Sequence, residues 1–177
     1  DKPIGSVIYA QLCNETGGIE ADLTITRLGD EHFYIVTGSG FGTHDSDWIR
    51  RKLSKNGNVH LIEVTSARAV INICGPNARN VLQAVCENNV SNEAFPFATA
   101  QDIIIGAAPV RAVRIGFVGE LGWELHIPTE FAAHVYDKLW EAGAPYNIQN
   151  VGYRAIDSLR MEKGYVYWSG DISPDYT

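Results

Sequence analysis

The sequence has few of the residues that would indicate a metal site or a disulfide framework. Its three cysteines, Cys13, Cys74 and Cys86, are odd in number, widely spaced and without a Cys-x-x-Cys pair. Zinc sites and disulfide frameworks depend on such pairs, so we expect neither. Cys74 lies in an apolar run and is predicted to be a small buried residue. The five histidines are dispersed, which also argues against a bound metal.

Long apolar runs and clustered basic residues are lacking as well. No stretch reaches the ~18 apolar residues of a membrane-spanning helix, and no signal peptide is visible at the start. Acidic residues outnumber basic ones by 21 to 14, which gives a net charge of −7. Since phosphate binding needs clustered Lys and Arg, we expect no nucleic-acid partner. Without a long apolar stretch we also expect no membrane partner. Neither Gly-x-Gly-x-x-Gly nor a Walker A motif is present.

The chain has the size and composition of ordinary globular protein. Its 177 residues are 45% hydrophobic and 20% charged, enough to build a core. Asp1 is not an initiator Met, and no closing element follows Asp175. We therefore interpret residues 1–177 as one domain within a longer protein. Its cysteine usage suits a reducing compartment.

Glycine turns separate segments of β-like and helical periodicity. Strands are predicted at 5–13, 22–28, 32–37, 59–64, 68–74, 102–105, 109–116 and 123–127. Helices are predicted from Thr43 to Asn56, from Pro76 to Cys86, from Thr129 to Gly143, and over 151–163 with a stop at Gly164. Hairpins mixed with helices favour an α+β fold, with antiparallel sheets and helices packed on one side.

Two acids stand in apolar strands, each after a glycine turn. Asp22 follows Gly17-Gly18, and Glu124 lies between Trp123 and Leu125. Glu124 shares a strand face with His126, whereas positions 123, 125 and 127 are apolar. The simpler interpretations are that Asp22 is a turn residue and that Glu124 faces solvent. Alternatively, the two carboxylates converge on one ligand that offers N–H donors.

Five segments, in this order, resemble the aminomethyltransferase family, the T-protein of the glycine cleavage system. More closely they resemble the folate-binding part of sarcosine and dimethylglycine dehydrogenases. The segments are Tyr9…Asn14-x-x-Gly17-Gly18-x-x-x-Asp22-Leu23-Thr24, Thr65-Ser66…Gly75-Pro76-x-Ala78-Arg79-x-Val81-Leu82, Asn92-Glu93-Ala94-Phe95-Pro96-Phe97, Val118-Gly119-Glu120-Leu121-Gly122-Trp123-Glu124-Leu125 and the run from Gly152 to Tyr165. Each motif alone is modest, but the ordered set is specific and covers nearly the whole chain.

The resemblance implies a tetrahydrofolate pocket. Asp22 matches the family's key aspartate, beside the folate nitrogens that accept the one-carbon unit, and is the expected catalytic residue. Glu124 matches the glutamate that binds the pterin ring. A carboxylate suits this role because it can accept the ring N–H and the amino group together. Tyr9 matches a pocket tyrosine, and Thr24 a position whose backbone lies beside the pterin.

Two positions depart from the family's pattern. Phe117 stands where members often carry Tyr, so one hydroxyl contact is missing. The T-protein pattern Ala-Arg-Asp reads Ala155-Ile156-Asp157 here, which is typical of the sarcosine dehydrogenase-like branch. The folate-contacting arginine is absent at that place, and Arg154 is the candidate substitute. A branch linked to iron–sulfur assembly is disfavoured, because its cysteine is lacking after Gly164.

The resemblance yields one main functional expectation and two alternatives. The main expectation is the tetrahydrofolate-binding module of a dehydrogenase acting on methylated amines, with FAD in a domain outside these residues. It captures the one-carbon unit as 5,10-methylenetetrahydrofolate. The alternatives are a T-protein-type aminomethyltransferase, and a regulatory module like the regulatory subunit of pyruvate dehydrogenase phosphatase. The expected location is the bacterial cytoplasm or the mitochondrial matrix.

Overall fold

The computed structural model describes residues 2–172, which fall into two compact units divided between Val64 and Thr65. The end of the chain around Asp175, on which the interpretation as part of a longer protein partly rests, lies outside the described residues. That interpretation, and the expectation of one domain over residues 1–177, stay predictions.

The first unit is a three-stranded antiparallel sheet with one helix. Its elements are β1 (Val7–Cys13), β2 (Ile19–Arg27), β3 (Phe33–Thr37) and α1 (Gly42–Lys52), with the strands in the order β1-β2-β3. Asn14 shapes the β1–β2 turn, because its side-chain oxygen accepts hydrogen bonds from the backbone N–H groups of Thr16 and Gly18. Gly17 supplies the positive φ of +87° that this turn requires.

Helix α1 is tied to this sheet by a buried carboxylate. Asp45, only 1% exposed, accepts a hydrogen bond from the Thr37 hydroxyl at the end of β3. Ala21 and Leu23 of β2 are buried on alternate positions of their strand. Ala21 and Leu23 thus lie on one buried face of β2, and Asp22 and Thr24 lie on the other face.

The second unit is a four-stranded antiparallel sheet with three helices. Its elements are β4 (Arg68–Cys74), α2 (Ala78–Val85), β5 (Ala100–Ile105), β6 (Ala108–Val113), β7 (Gly122–Pro128), α3 (Ala132–Gly143) and α4 (Tyr153–Lys163). The strand order is β4-β7-β6-β5, so β7 is paired on both sides.

The core of the second unit lies on one face of β7. Trp123, Leu125 and Ile127 are at most 1% exposed, and the cluster they join includes Leu82 of α2 and Val135 of α3. Burying each such side chain contributes about 1.5–3 kcal/mol, before the cost of ordering it. The strand is thus fixed by its apolar positions, and the residues between them face the other side of the sheet.

The predicted α+β class, with antiparallel sheets and helices, is confirmed. α3 ends at Gly143, and Gly164 ends α4 with a φ of +80°, both as predicted. None of the helices within residues 2–172 is long and apolar enough to cross a membrane.

Several local predictions are wrong, among them the end of the first helix, which is Lys52 and not Asn56. Residues 59–64 form no strand, because their apolar side chains, such as Ile62 at 77% exposed, face no partner strand. Thr43 lies inside α1 and does not cap it, since the helix begins at Gly42. Cys74 is exposed, because it falls on the alternate face of β4 from buried Ile73.

Candidate functional site

In the first unit, three predicted site residues share one face of the sheet. Tyr9 on β1 lies opposite Thr24 on β2, and Asp22 lies two positions from Thr24 on the same face. The Tyr9 hydroxyl donates a hydrogen bond of 3.1 Å to Oδ2 of Asp22. The pairing of β1 with β2 thus brings Tyr9, Asp22 and Thr24 together.

The hydrogen bond orients the Asp22 carboxylate. Partial burial, followed by the charge of Asp22 and the hydrogen bond to it, raises the pKa of Tyr9. The Tyr9 phenol therefore stays protonated and donates the hydrogen bond, which the Asp22 carboxylate accepts. Oδ1 of Asp22 has no hydrogen-bond partner within residues 2–172 and is open to a ligand donor.

In the second unit, Glu124 lies on β7 and is paired with a residue of the neighbouring strand on each side. Asn72 of β4 lies opposite it on one side and Val113 of β6 on the other. Its side chain is 25% exposed, and its Oε2 lies 3.5 Å from Nε2 of His126. Glu124 is therefore held on a rigid central strand while it still reaches solvent.

Phe117 and Arg154 are not brought together. Phe117 stacks on Tyr165, with ring centroids 6.0 Å apart and ring planes 11° apart, just beyond the C-terminal end of α4. Arg154 is exposed near the N-terminal end of that helix. An eleven-residue helix is about 16 Å long, which separates the two positions. Within residues 2–172, Arg154 makes no ion pair.

A carboxylate is the functional group that each unit presents. Asp22 and Glu124 both stand on strands, where the backbone limits their motion, and each keeps an oxygen for further contacts. A carboxylate accepts two parallel N–H groups in a fork, or one N–H and a transferable proton. Both arrangements fit a ligand that is rich in N–H donors.

Sequence reasoning missed a polar cluster next to α1. His44 Nδ1 lies 2.9 Å from Oδ1 of the buried Asp45, and His44 Nε2 lies 4.0 Å from Glu20. Asn14 of the β1–β2 turn donates a 2.8 Å hydrogen bond to the other oxygen of Glu20. No sequence pattern marks this cluster, because it depends on contacts of α1 with the β1–β2 turn and with the end of β3.

A cavity of about 450 Å³ opens in the first unit between the end of β1 and α1. Leu12, Cys13, Trp48, Ile49 and Lys52 are among its lining residues. None of the predicted site residues lines it.

Residues 2–172 contain no group of three or more His, Cys, Asp or Glu side chains that could hold a metal ion.

Comparison with known proteins identifies the relatives of this chain. Human mitochondrial sarcosine dehydrogenase is 40% identical over 188 residues, which cover 98% of this chain and 20% of the relative. The mitochondrial regulatory subunit of mouse pyruvate dehydrogenase phosphatase is 33% identical, and rat mitochondrial dimethylglycine dehydrogenase 32%, each over 20% of its length. The chain thus spans about a fifth of these relatives.

A solved structure and a family model agree with these relatives. The glycine cleavage system aminomethyltransferase T from Bartonella henselae superposes with a TM-score of 0.77 at 27% identity, over 98% of this chain and 45% of that protein. The model of the GCVT N-terminal domain matches residues 1–177. The predicted relationship to aminomethyltransferases and to sarcosine and dimethylglycine dehydrogenases is therefore confirmed, and the chain belongs to the GCVT N-terminal domain family.

Proposed function

We propose that this chain is the tetrahydrofolate-binding domain of a flavin-dependent dehydrogenase that demethylates an N-methyl amine. The family and the sarcosine and dimethylglycine dehydrogenase relatives support this class of reaction. The observation that carries the proposal is the Asp22 carboxylate, which Tyr9 holds in place with one oxygen still open. Glu124, half-buried on β7, supplies a second carboxylate of the required chemistry.

In this proposal the residues of the chain bind and orient folate. Flavin, held outside these residues, supplies the oxidation of the amine to an iminium. Asp22 accepts the proton that a folate nitrogen loses when it attacks the iminium carbon. The second folate nitrogen then displaces the amine from that carbon and loses its own proton to solvent. The protonated Asp22 returns its proton to the departing amine, and the product is 5,10-methylenetetrahydrofolate. Glu124 accepts N–H groups of the pterin and fixes the pose in which attack occurs.

The remaining predicted residues have supporting roles. Thr24 lies on the same sheet face as Asp22, and Phe117, which is 40% exposed, offers an aromatic surface beside Tyr165. Arg154 is exposed and makes no ion pair within residues 2–172, so it is free to bind a folate carboxylate. We propose the mitochondrial matrix, or the cytoplasm of a bacterium, as the location, since the animal relatives are named as mitochondrial.

Substitution of Asp22→Asn in the full-length protein tests the role of Asp22. We expect the yield of 5,10-methylenetetrahydrofolate per amine oxidised to fall at least about tenfold, because general-base catalysis typically contributes 10²–10⁴-fold. Asp30→Asn is the control, since its side chain is 92% exposed. An unchanged yield in Asp22→Asn would falsify the proposed role.

A T-protein-type aminomethyltransferase is the second candidate, favoured by the TM-score of 0.77 with aminomethyltransferase T. The two candidate functions differ in whether the full-length protein carries flavin. A full-length protein that carries flavin and oxidises a methylated amine supports the dehydrogenase, whereas a flavin-free protein that needs a lipoyl-carrying partner supports the aminomethyltransferase. A full-length protein that binds no tetrahydrofolate contradicts both and leaves a regulatory role.

A further inference from the structure

We infer that His126 is a positioning residue for Glu124. In this inference the Nε2–H of His126 donates toward Oε2 of Glu124 and leaves the other carboxylate oxygen to the ligand. The inference rests on the proposed folate-binding role of Glu124. It concerns only residues of the sheet β4–β7.

The first argument is burial. His126 is 1% exposed, although it lies on the face of β7 opposite to the apolar core residues. A buried imidazole is costly unless its ring nitrogens have polar contacts. Oε2 of Glu124 lies 3.5 Å from Nε2, which is longer than an ordinary N–H···O hydrogen bond of about 2.7–3.2 Å, so the ligand-free contact is electrostatic. Hydrogen bonds of functional groups are often long in ligand-free sites and shorten when the ligand is bound.

The second argument is the charge around His126. Across the sheet it lies opposite Arg111 on β6 and Val70 on β4. Two hydrogen bonds of 2.9 and 3.1 Å join Arg111 to Asp102 of β5, so the guanidinium is directed to that carboxylate. Because Arg111 is held by Asp102, Oε2 of Glu124 is left as an acceptor toward which Nε2–H of His126 can donate.

The consequence concerns the Glu124 carboxylate. Because Glu124 and His126 are two residues apart on a strand, their side chains point to the same face. A donor fixed in the sheet restricts the rotation of the carboxylate and points one oxygen away from the ligand side. The ligand then meets an oriented acceptor, and less side-chain freedom is lost on binding.

A pair of polar variants tests this inference in the full-length protein, with tetrahydrofolate as the probe. The amide of His126→Gln reaches the place of Nε2, whereas that of His126→Asn reaches only the place of Nδ1. We expect His126→Asn to weaken tetrahydrofolate binding at least about tenfold, and His126→Gln to stay within about threefold of wild type. In a Glu124→Gln background, the two variants should bind alike.

Several results would overturn the inference. Equal affinities for His126→Asn and His126→Gln, or the same loss with Glu124→Gln already present, would show that His126 acts only through general packing. The ¹⁵N chemical shifts of the His126 ring give a readout that needs no ligand: we expect the Nε2–H tautomer, and a shift of that resonance in Glu124→Gln. An unaffected ring contradicts the contact itself. A wild-type protein that binds no tetrahydrofolate contradicts the proposed function instead, whatever the ring resonances show.

Discussion

Trp123 combines nearly complete burial with an indole N–H that finds no hydrogen-bond acceptor within residues 2–172. Its ring instead packs edge-on against Phe95 and lies 5.3 and 5.6 Å from the guanidinium carbons of Arg79 and Arg114. The contribution of Trp123 to stability thus comes from its buried apolar surface and from cation–π contacts. Phe can partly reproduce both.

We therefore expect Trp123→Phe to cost less than about 2 kcal/mol of unfolding free energy, since it also removes an unsatisfied donor. Trp123→Ala should cost about 3–5 kcal/mol, because it leaves a large cavity. Urea unfolding of both variants measures the difference. Equal losses would mean that the indole N–H has a partner after all.

The pKa of Tyr9 reports on its contact with Asp22. Burial raises this pKa, and the Asp22 carboxylate raises it further, because a negative neighbour disfavours the phenolate. Asp22→Asn removes the charge, so the pKa of Tyr9 should fall toward its ordinary value without reaching it, since the effect of burial remains. NMR titration of ¹³C-labelled tyrosine measures this shift. A pKa that stays the same or rises in Asp22→Asn would show that the carboxylate does not act on Tyr9.

Asp45 is predicted to contribute more to stability than Asp47, the other acid of α1. Asp45→Ala leaves the Thr37 hydroxyl and the His44 ring without their acceptor, so we expect a loss of about 1–3 kcal/mol. Asp47→Ala in the same helix is the matched control. Asp47 pairs with Arg51 in solvent, with side chains 53% and 73% exposed, and such pairs contribute about 0.2–1 kcal/mol. If both variants unfold at the same urea concentration, the buried carboxylate has no special role.

At the level of elements, the turn before β7 holds the end of α4. Gly119 has a φ of +74°, and a Cβ added there would come within 2.6–2.8 Å of the Lys163 side chain. Gly119→Ala should therefore destabilise the second unit by about 1 kcal/mol or more and loosen the Phe117–Tyr165 stack. Gly116→Ala is the control, because a Cβ there meets nothing within 4 Å. Unfolding free energies of the two variants should differ, and equal values would contradict the contact.

Elements with strong local signals could be predicted from the sequence, whereas those that depend on a partner could not. Alternating apolar residues and flanking turns marked β7, and its alternation correctly placed Glu124 and His126 on one face. The same kind of pattern at 59–64 gave a wrong strand, since a strand exists only when a neighbour pairs with it.

The candidate site shows the same division. The motif with Asp22 indicated the residue, but its hydrogen bond to Tyr9 depends on the register of β1 against β2. Likewise, the burial of His126 depends on how β4 and β6 flank β7, and that pairing is long-range. Whole-chain motif order identified the family, while contacts between distant segments needed the structure.

Considered whole, the chain contains two units and spans about a fifth of its dehydrogenase relatives. The second unit contains the extended apolar cluster, which includes Trp123, Leu125, Ile127, Leu82 and Val135. The proposed activity belongs to the full-length protein, and folate binding is the part of it that we propose for these residues. The proposed function therefore requires that this part of the protein bind folate through Asp22 and Glu124.

Tetrahydrofolate binding to the full-length protein, followed by quenching of tryptophan fluorescence, tests that claim most directly. Wild type should bind saturably, and Glu124→Ala should bind at least about tenfold more weakly, since truncating one partner of a hydrogen-bonded charge typically costs about 2–5 kcal/mol. Glu130→Ala, an exposed acid just after β7, should bind like wild type. A folded wild-type protein that shows no saturable binding, or a Glu124→Ala variant that binds as tightly as wild type, would contradict the account.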